Sequence, residues 1–246
     1  MVEAGLWGLA AASALVIGAL AQIGLQISRR ITALIMAFGA GALVSALAFD
    51  LTEEAFGRGG TGIFAAGLAA GALAFFVGNR VVIRLGAPAR ARRRSQAGKL
   101  SAASSNGPAI VLGTLLDGLP ESIVLGATLL GGATVSASFL AAVFLSNIPE
   151  GAAGTRDLGE EGHARRWILL LWVGVALASG LASGLGYGLL GGMNQGAVAV
   201  VQAFAAGAIL TMLADTMIPE AFENGGDLAG LATTLGFAAA FLLSTT

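Results

Sequence analysis

Two apolar stretches of the chain carry acidic residues beside a proline, in the segments DGLPES and SNIPEG. Asp117 and Glu121 are four residues apart and Asn147 and Glu150 are three apart, so each pair would lie on one face of a helix. An ionised carboxylate at the centre of a bilayer costs about 2.5–3.5 kcal/mol, so it normally faces a cavity or a partner. Because no basic residue lies deep in either stretch, a bound cation would supply the counter-charge, and protonation is the alternative.

The two prolines add oxygen atoms to this set. Pro120 lacks the amide hydrogen that would bond to the carbonyl of Leu116, and Pro149 has the same effect on the carbonyl of Leu145. Freed carbonyls of this kind are ligands in the broken helices of transporters. Carboxylate, amide and carbonyl oxygens suit hard cations, whereas imidazole would suit zinc, copper or nickel better. These residues therefore predict an oxygen-rich cation site.

Other acidic residues lie nearer the ends of apolar stretches, where a carboxylate can reach the membrane interface without any special role. Asp50 and Glu54 lie at one such end, and Asp215 and Glu220 lie at another. These four residues are possible parts of an ion pathway. The single histidine, His163, has charged neighbours in a connecting segment, so we expect it to be solvated.

The elements that must position these residues are predicted to be membrane-spanning helices. Of the 246 residues, 56% are hydrophobic and 11% are charged, whereas soluble domains carry about 25% charged residues. A spanning helix needs about 20 apolar residues. Eight such stretches occur, at roughly 5–26, 32–53, 62–86, 108–131, 135–155, 165–190, 195–219 and 227–244. We therefore expect an all-α membrane protein in which residues 1–246 form a single transmembrane domain.

The distribution of basic residues predicts the orientation in the membrane, because cytoplasmic connections are enriched in Lys and Arg. With eight spans, 12 of the 13 basic residues fall on one side and only Arg58 falls on the other. We expect a multi-pass protein of the cell (plasma or inner) membrane, with both termini outside and a basic cytoplasmic loop at about 87–107. The chain starts without the positive n-region of a signal peptide, so the first span is expected to be retained.

An internal repeat links the second and seventh spans. Residues 37–60 and 203–226 match at a constant offset of 166, and both segments end in a Glu-Ala-Phe-x-x-Gly-Gly pattern. With eight spans the two segments would cross the membrane in opposite directions. This predicts an inverted repeat of spans 1–3 and 6–8 around spans 4 and 5, a 3+2+3 arrangement. Transporters built in this way bind substrate near the midplane of the membrane.

Spans four and five resemble those of the ZIP (Zrt/Irt-like) family of divalent metal transporters, in its bacterial type. Members carry a His-Asn-x-Pro-Glu-Gly type motif in span four and a related Pro-Glu-Gly or His-Glu motif in span five. The eight spans, outside termini and 3+2+3 layout are similar to that family too. By position, Asp117 replaces the span-four histidine ligand and Glu121 matches the span-four glutamate. Asn147 falls at the first acidic position of span five, and Glu150 matches a glutamate that bridges two metals in binuclear members.

The chain departs from the family pattern at several ligand positions. Gly118 stands where the family usually has asparagine, the histidines are missing, and Thr216 replaces an acidic residue. Span six has no carboxylate, so a second metal position is expected to be lost. The resemblance then implies one ligand-reduced metal site, formed by Asp117, Glu121, Asn147, Glu150 and Ser146. Zinc is the cargo that the resemblance favours, and iron or manganese stay open.

The function that the resemblance implies is uptake of a divalent metal ion into the cytoplasm, with no cofactor besides the transported ion. A proton- or other cation-linked transporter on the same scaffold and a non-transporting, ligand-depleted relative are the alternatives. An enzyme is not expected, since a single histidine excludes the His-Glu-x-x-His signature. Membrane lipid and the metal ion are the expected partners. The resemblance suggests a homodimer, and no partnership with nucleic acid is expected.

Overall fold

The structure is a computed structural model that describes residues 1–84, 107–130 and 136–245, with the backbone alone described for 107–111. All regular structure in these ranges is helical, as predicted. The helices are α1 (Val2–Leu25), α2 (Arg29–Ala46), α3 (Glu53–Arg84), α4 (Gly107–Ala127), α5 (Ala137–Glu160), α6 (Arg165–Leu190), α7 (Gln195–Met212), α8 (Ile218–Gly225) and α9 (Leu228–Ser244). The predicted basic loop lies outside the described residues, except that Gly107 begins α4.

Several helices are long and apolar enough to cross a membrane. By length and composition these are Val2–Leu25, Arg29–Arg84, Arg165–Leu190 and Gln195–Gly225, and Leu228–Ser244 is a shorter apolar helix of 17 residues. The predicted second span, and the third as far as residue 84, lie in the single stretch Arg29–Arg84, which is interrupted at Gly60. The composition of the helices is thus compatible with a membrane protein.

The internal repeat has a counterpart in the backbone. A π-helical segment, Leu47–Thr52, follows α2, and a second one, Leu213–Met217, follows α7 and begins 166 residues later. Gly60 and Gly226 are also 166 residues apart, and their φ angles are 68° and 65°. Such positive φ angles are accessible to glycine at little cost. The two repeat segments therefore share their helical irregularities as well as their sequence.

The helices pack in pairs that map onto one another. The pair of α2 with α9 corresponds to the pair of α7 with α3, and α1 with α5 corresponds to α6 with α4, while α1 and α6 pack against each other. If the labels of α1 and α6, α2 and α7, α3 and α9, and α4 and α5 are exchanged, the same list of packed helix pairs results. Because α3 packs against α7 and α9 packs against α2, the N-terminal and C-terminal halves of the chain interlock.

Glycines allow the closest of these helix contacts. A Cβ atom on Gly41 of α2 would lie 1.9 Å from the carbonyl oxygen of Thr233 in α9. A Cβ atom on Gly207 of α7 would lie 2.0 Å from the carbonyl oxygen of Leu68 in α3. Small residues let helix backbones approach at such distances, which favours packing where lipid removes the hydrophobic drive. The interlocked halves therefore depend on glycine at matching places.

Candidate functional site

The two central helices, α4 and α5, keep the acidic residues at the places that the sequence predicts. Pro120 lies inside α4 and Pro149 inside α5, and each helix continues through its proline. Since α4 packs against α1, α6 and α7, the residues on its inner face are covered by those helices. Glu121, next to Pro120, is only 3% exposed. A carboxyl group of α4 is therefore buried in the interior of the helix assembly.

Three carboxylates come together around this buried position. The charges that act on Glu121 come from Glu150 of α5 and Asp117 of α4, and both are negative. Asp117 and Glu150 are half-buried. The structure thus brings together the three acidic residues that the sequence analysis singled out. Because like charges repel, each of them disfavours the ionised form of the others.

A small cavity adjoins Glu121 at the meeting point of α1, α4, α5 and α6. Its polar lining consists of Glu121, Thr114 and Ser122 from α4, Asn147 from α5 and Ser179 from α6, and the rest of the lining is apolar. The Ser122 hydroxyl donates to the Gly118 carbonyl at 2.7 Å, and the Asn147 amide donates to the Ala11 carbonyl of α1 at 3.3 Å. The cavity therefore presents one carboxyl group, one amide and three hydroxyl groups.

Ser146, which the sequence analysis includes in the predicted site, lies on the side of α5 that faces α2. Its hydroxyl donates to the carbonyl of Val143 in the same helix at 2.9 Å. A Cβ atom added to Gly39 of α2 would lie 2.8 Å from the Cα atom of Ser146. The residue is buried, and it packs between α5 and α2 instead of lining the cavity beside Asn147.

Asp50 joins the first π-helical segment to the start of α5. Ser136 donates a hydrogen bond to its carboxylate at 2.9 Å, and Ser138 donates a second, short one. The Ser136 hydroxyl also accepts from the amide of Phe139, which caps the N-terminus of α5. Asp50 thus supports the cap of the helix that carries Glu150.

Glu54 is held by two side chains near the break in α3. Arg58 makes an ion pair with it at 2.5 Å, and the Gln202 amide of α7 donates to its other oxygen at 2.8 Å. Gln202 is fully buried, and its Oε1 atom has no hydrogen-bond partner within the described residues. The Glu54 carboxylate therefore links α3 to α7 at this point.

The acidic residues of the second repeat lie in two different environments. Asp215, in the second π-helical segment, is exposed. Glu220 of α8 is half-buried, and its charge acts on Arg29 and Arg156. Of the four possible pathway residues, three therefore have charged or hydroxyl-bearing neighbours, and Asp215 faces outward.

The described residues contain no group of three or more His, Cys, Asp or Glu side chains that could hold a metal ion as they stand. Asp117 and Glu150 are thus near enough to Glu121 for their charges to act on it, but the three carboxylates do not form a ready metal site. Of the predicted ligands, Glu121 and Asn147 both line the cavity.

Comparison with known proteins identifies no family for this chain. A scan against models of protein families finds no match. A search of curated proteins finds no significant match. The function must therefore be inferred from the chemistry of the acidic cluster and its surroundings.

Sequence inspection alone missed the hydroxyl groups of the site. Thr114, Gly118 and Ser122 follow one another at intervals of four residues, and Glu121 lies three residues after Gly118, which places all four on one side of α4. That spacing is visible in the sequence, so Thr114 and Ser122 could have been found from it. Ser179 could not, because its place in the cavity depends on the packing of α6 against α4 and α1.

Proposed function

We propose that the chain transports a divalent metal cation across a membrane, into the cytoplasm, through the acidic cluster of α4 and α5. One observation carries this proposal. Glu121 is almost fully buried, and the only charges that act on it among the described residues are the negative charges of Glu150 and Asp117. No basic residue lines the adjoining cavity. A divalent cation would compensate this charge and would find the carboxylates as ligands.

The chemistry of the donors narrows the range of cargo. Carboxylate, amide and hydroxyl oxygens suit manganese and other hard cations, and carboxylates also bind zinc and iron. Zinc is the cargo favoured by the resemblance to the ZIP family, while manganese or iron fits the absence of histidine from the cluster. The proposal requires that Asp117, Glu121, Asn147 and Glu150 converge when an ion enters. Ser146 would join them only if α5 moved relative to α2.

The architecture that goes with this proposal has eight spans in a 3+2+3 inverted repeat. The two π-helical segments and the two positive-φ glycines, each pair 166 residues apart, support it. So do the corresponding helix pairs. In this arrangement α4 and α5 form the central pair, and the cluster lies between the two repeats, where inverted-repeat transporters bind substrate. Both termini lie outside, in the plasma or inner membrane.

The possible pathway residues divide between the two ends of this arrangement. Asp50 and Glu54 belong to the outer end, and Asp215 and Glu220 to the inner end. Asp50 and Glu54 hold neighbouring helices through hydrogen bonds. An ion that used them would have to compete with those bonds, so we propose that their main contribution is to position α5 and α7.

The test is metal entry into liposomes loaded with a metal-sensitive dye, measured for zinc, cadmium, manganese and iron(II). Glu121→Gln keeps the shape of the side chain and removes its charge, so we expect a loss of entry of at least about tenfold, since changes around metal ligands cost 10–100-fold. Glu223→Gln, an exposed carboxylate of α8, is the matched control and should behave like the wild type. Equal flux through Glu121→Gln and wild type would refute the role of the cluster.

A proton-linked carrier is the second candidate function, because protonation would also neutralise the buried Glu121. It predicts proton flux that needs no divalent metal and that is lost in Glu121→Gln. If neither metal nor proton flux occurs in folded, inserted protein, a non-transporting relative becomes the better proposal.

A further inference from the structure

An apolar groove runs along the outer surface between α4 and α6. It has a volume of about 480 Å³ and is lined by Leu115 of α4 and by residues of α6 from Trp167 to Ala178. At 1.5 Å per residue this part of α6 is about 16 Å long. All of the lining residues are apolar. The groove is therefore shaped for a narrow, flexible, apolar occupant.

The end of the groove at the start of α6 is positively charged. Arg165 and Arg166 begin the helix, both are exposed, and neither forms an ion pair with a described residue. Arg166 is four residues before Leu170, which lines the groove, so it lies above the same face. Trp167, 40% exposed, stacks on His163 with 4.5 Å between ring centroids. Tryptophan is enriched at the level of lipid headgroups.

We propose that this groove binds an anionic phospholipid of the cytoplasmic leaflet. One acyl chain lies along the groove between Leu115 and Ala178, and Arg166 and Arg165 contact the phosphate. Basic pockets between helices on the cytoplasmic side are suited to anionic headgroups. The proposal depends on membrane insertion with the start of α6 at the cytoplasmic face, and it does not depend on metal transport.

The groove has a structural connection to the acidic cluster. Val175 of α6 lines both the groove and the cavity next to Glu121. An acyl chain in the groove would therefore support the wall of the cavity from the lipid side.

The test is quenching of tryptophan fluorescence by brominated lipids in phosphatidylcholine vesicles. A Trp7→Phe background leaves Trp167 and Trp172, and Trp172 is fully buried with its indole donating to Thr155. At equal mole fraction, we expect brominated phosphatidylglycerol to quench Trp167 more strongly than brominated phosphatidylcholine. Arg166→Gln should lower the relative affinity for the anionic lipid about fivefold, since one basic residue near the surface contributes about 1 kcal/mol.

A second variant tests the groove itself. Gly174 lines the groove and a Cβ there meets nothing within 4 Å, so Gly174→Leu places an apolar side chain in the groove. We expect it to remove the additional quenching by the anionic lipid. Gly24→Leu is the matched control, because Gly24 is also open at the end of α1.

The possible outcomes separate this proposal from its alternatives. Equal quenching by the two lipids in the Trp7→Phe protein, or a Gly174→Leu variant that keeps the preference, overturns it. A second copy of the chain in the groove would instead exclude lipid from Trp167. Quenching by both lipids would then be weak and would fall further as the protein-to-lipid ratio rises. No quenching by any brominated lipid would contradict membrane insertion, whereas loss of metal flux alone would leave the lipid site intact.

Discussion

At the scale of single residues, the burial of charge is the dominant feature. Glu121 is buried with two negative neighbours, whereas Glu54 has an arginine and an amide as partners. Both groups are carboxylates in apolar stretches, but the sequence places Glu121 inside its stretch and Glu54 near the end of another. Among the described residues, Glu54 therefore has a positively charged partner, whereas the charges that act on Glu121 are negative.

Gln202→Met is expected to stabilise the protein by about 1 kcal/mol. Gln202 is fully buried with an Oε1 atom that has no hydrogen-bond partner within the described residues, and a buried unsatisfied polar atom costs about 1–3 kcal/mol. The Glu54 oxygen that would lose its donor belongs to a side chain that is 33% exposed, so water can replace the bond. Methionine is the residue at the matching position of the first repeat, Met36.

Thermal unfolding in detergent measures this effect. Gln195→Met, at the exposed first residue of α7, serves as control and should leave the melting temperature unchanged. A lower melting temperature for Gln202→Met would mean that the hydrogen bond to Glu54 outweighs the cost of the unsatisfied oxygen.

At the scale of elements, α5 is tied to its neighbours at both ends. Asp50 holds its first turn through Ser136 and Ser138. At the other end Arg29 of α2 pairs with Glu160 at 2.7 Å, but both side chains are about half exposed, and such surface pairs contribute little. Arg156 is better placed, because it donates to the Gln22 side chain of α1 at 3.0 Å and to two groups at the start of α2.

Arg156→Gln is expected to loosen the turn between α1 and α2. Arg156 donates to the carbonyl of Ile27 and to the hydroxyl of Thr32 at 3.2 Å. Loss of hydrogen bonds from a charged donor costs about 1.5–3 kcal/mol each. Amide hydrogen exchange across residues 26–32 should therefore become faster. Arg30→Gln, at an exposed position beside Arg29, is the control, and equal exchange in the two variants would contradict the role of Arg156.

Gly41→Ala and Gly207→Ala are expected to destabilise the protein to a similar extent. In each case the added Cβ would lie about 2 Å from a backbone oxygen of the neighbouring helix. Overpacking of this kind costs typically 1–3 kcal/mol or more. The melting temperatures of both variants should fall, while Gly57→Ala, where nothing lies within 4 Å, should not fall. A large effect at only one of the two sites would show that the halves do not pack equivalently.

At the scale of the whole molecule, charged residues from distant parts of the chain gather at one end of the helix assembly. Arg29, Arg156, Glu160 and Glu220 lie at one end of the assembly, where their charges interact. Burial and the nearby charge of Arg29 lower the pKa of Arg156 from its usual value, while the hydrogen bond to Glu160 raises the pKa of Arg29. Both groups stay charged at neutral pH, since arginine is effectively always protonated in proteins.

The absence of cysteine makes the orientation directly testable. Gly192, between α6 and α7, and Gly159, at the end of α5, are both exposed and open. In intact cells a membrane-impermeant thiol reagent should label Gly192→Cys and spare Gly159→Cys. Inside-out vesicles should give the reverse. Labelling of both positions on the same side would contradict the eight-span arrangement.

The helical nature of the chain could be predicted from the sequence, but several helix ends could not, since α2 ends at Ala46 and α3 begins at Glu53 where the prediction placed one continuous span. Apolar length and proline position are local properties, because each helix satisfies its own backbone hydrogen bonds. The prediction of an all-α chain is confirmed for the described residues. The 166-residue spacing of the repeat was equally visible, and the matching irregularities of α2 and α7 follow it.

Which groups meet depends on the three-dimensional packing of the helices and could not be predicted from the sequence. Packing brings Asp50 to the serines at the start of α5, Glu54 to Gln202 of α7, and Ser146 against α2. These partners lie up to 148 residues apart in the chain. Whether a buried carboxylate has a partner depends on how neighbouring helices are rotated and paired. Helix periodicity places side chains on a face, but the helix that covers this face is chosen by packing between distant segments.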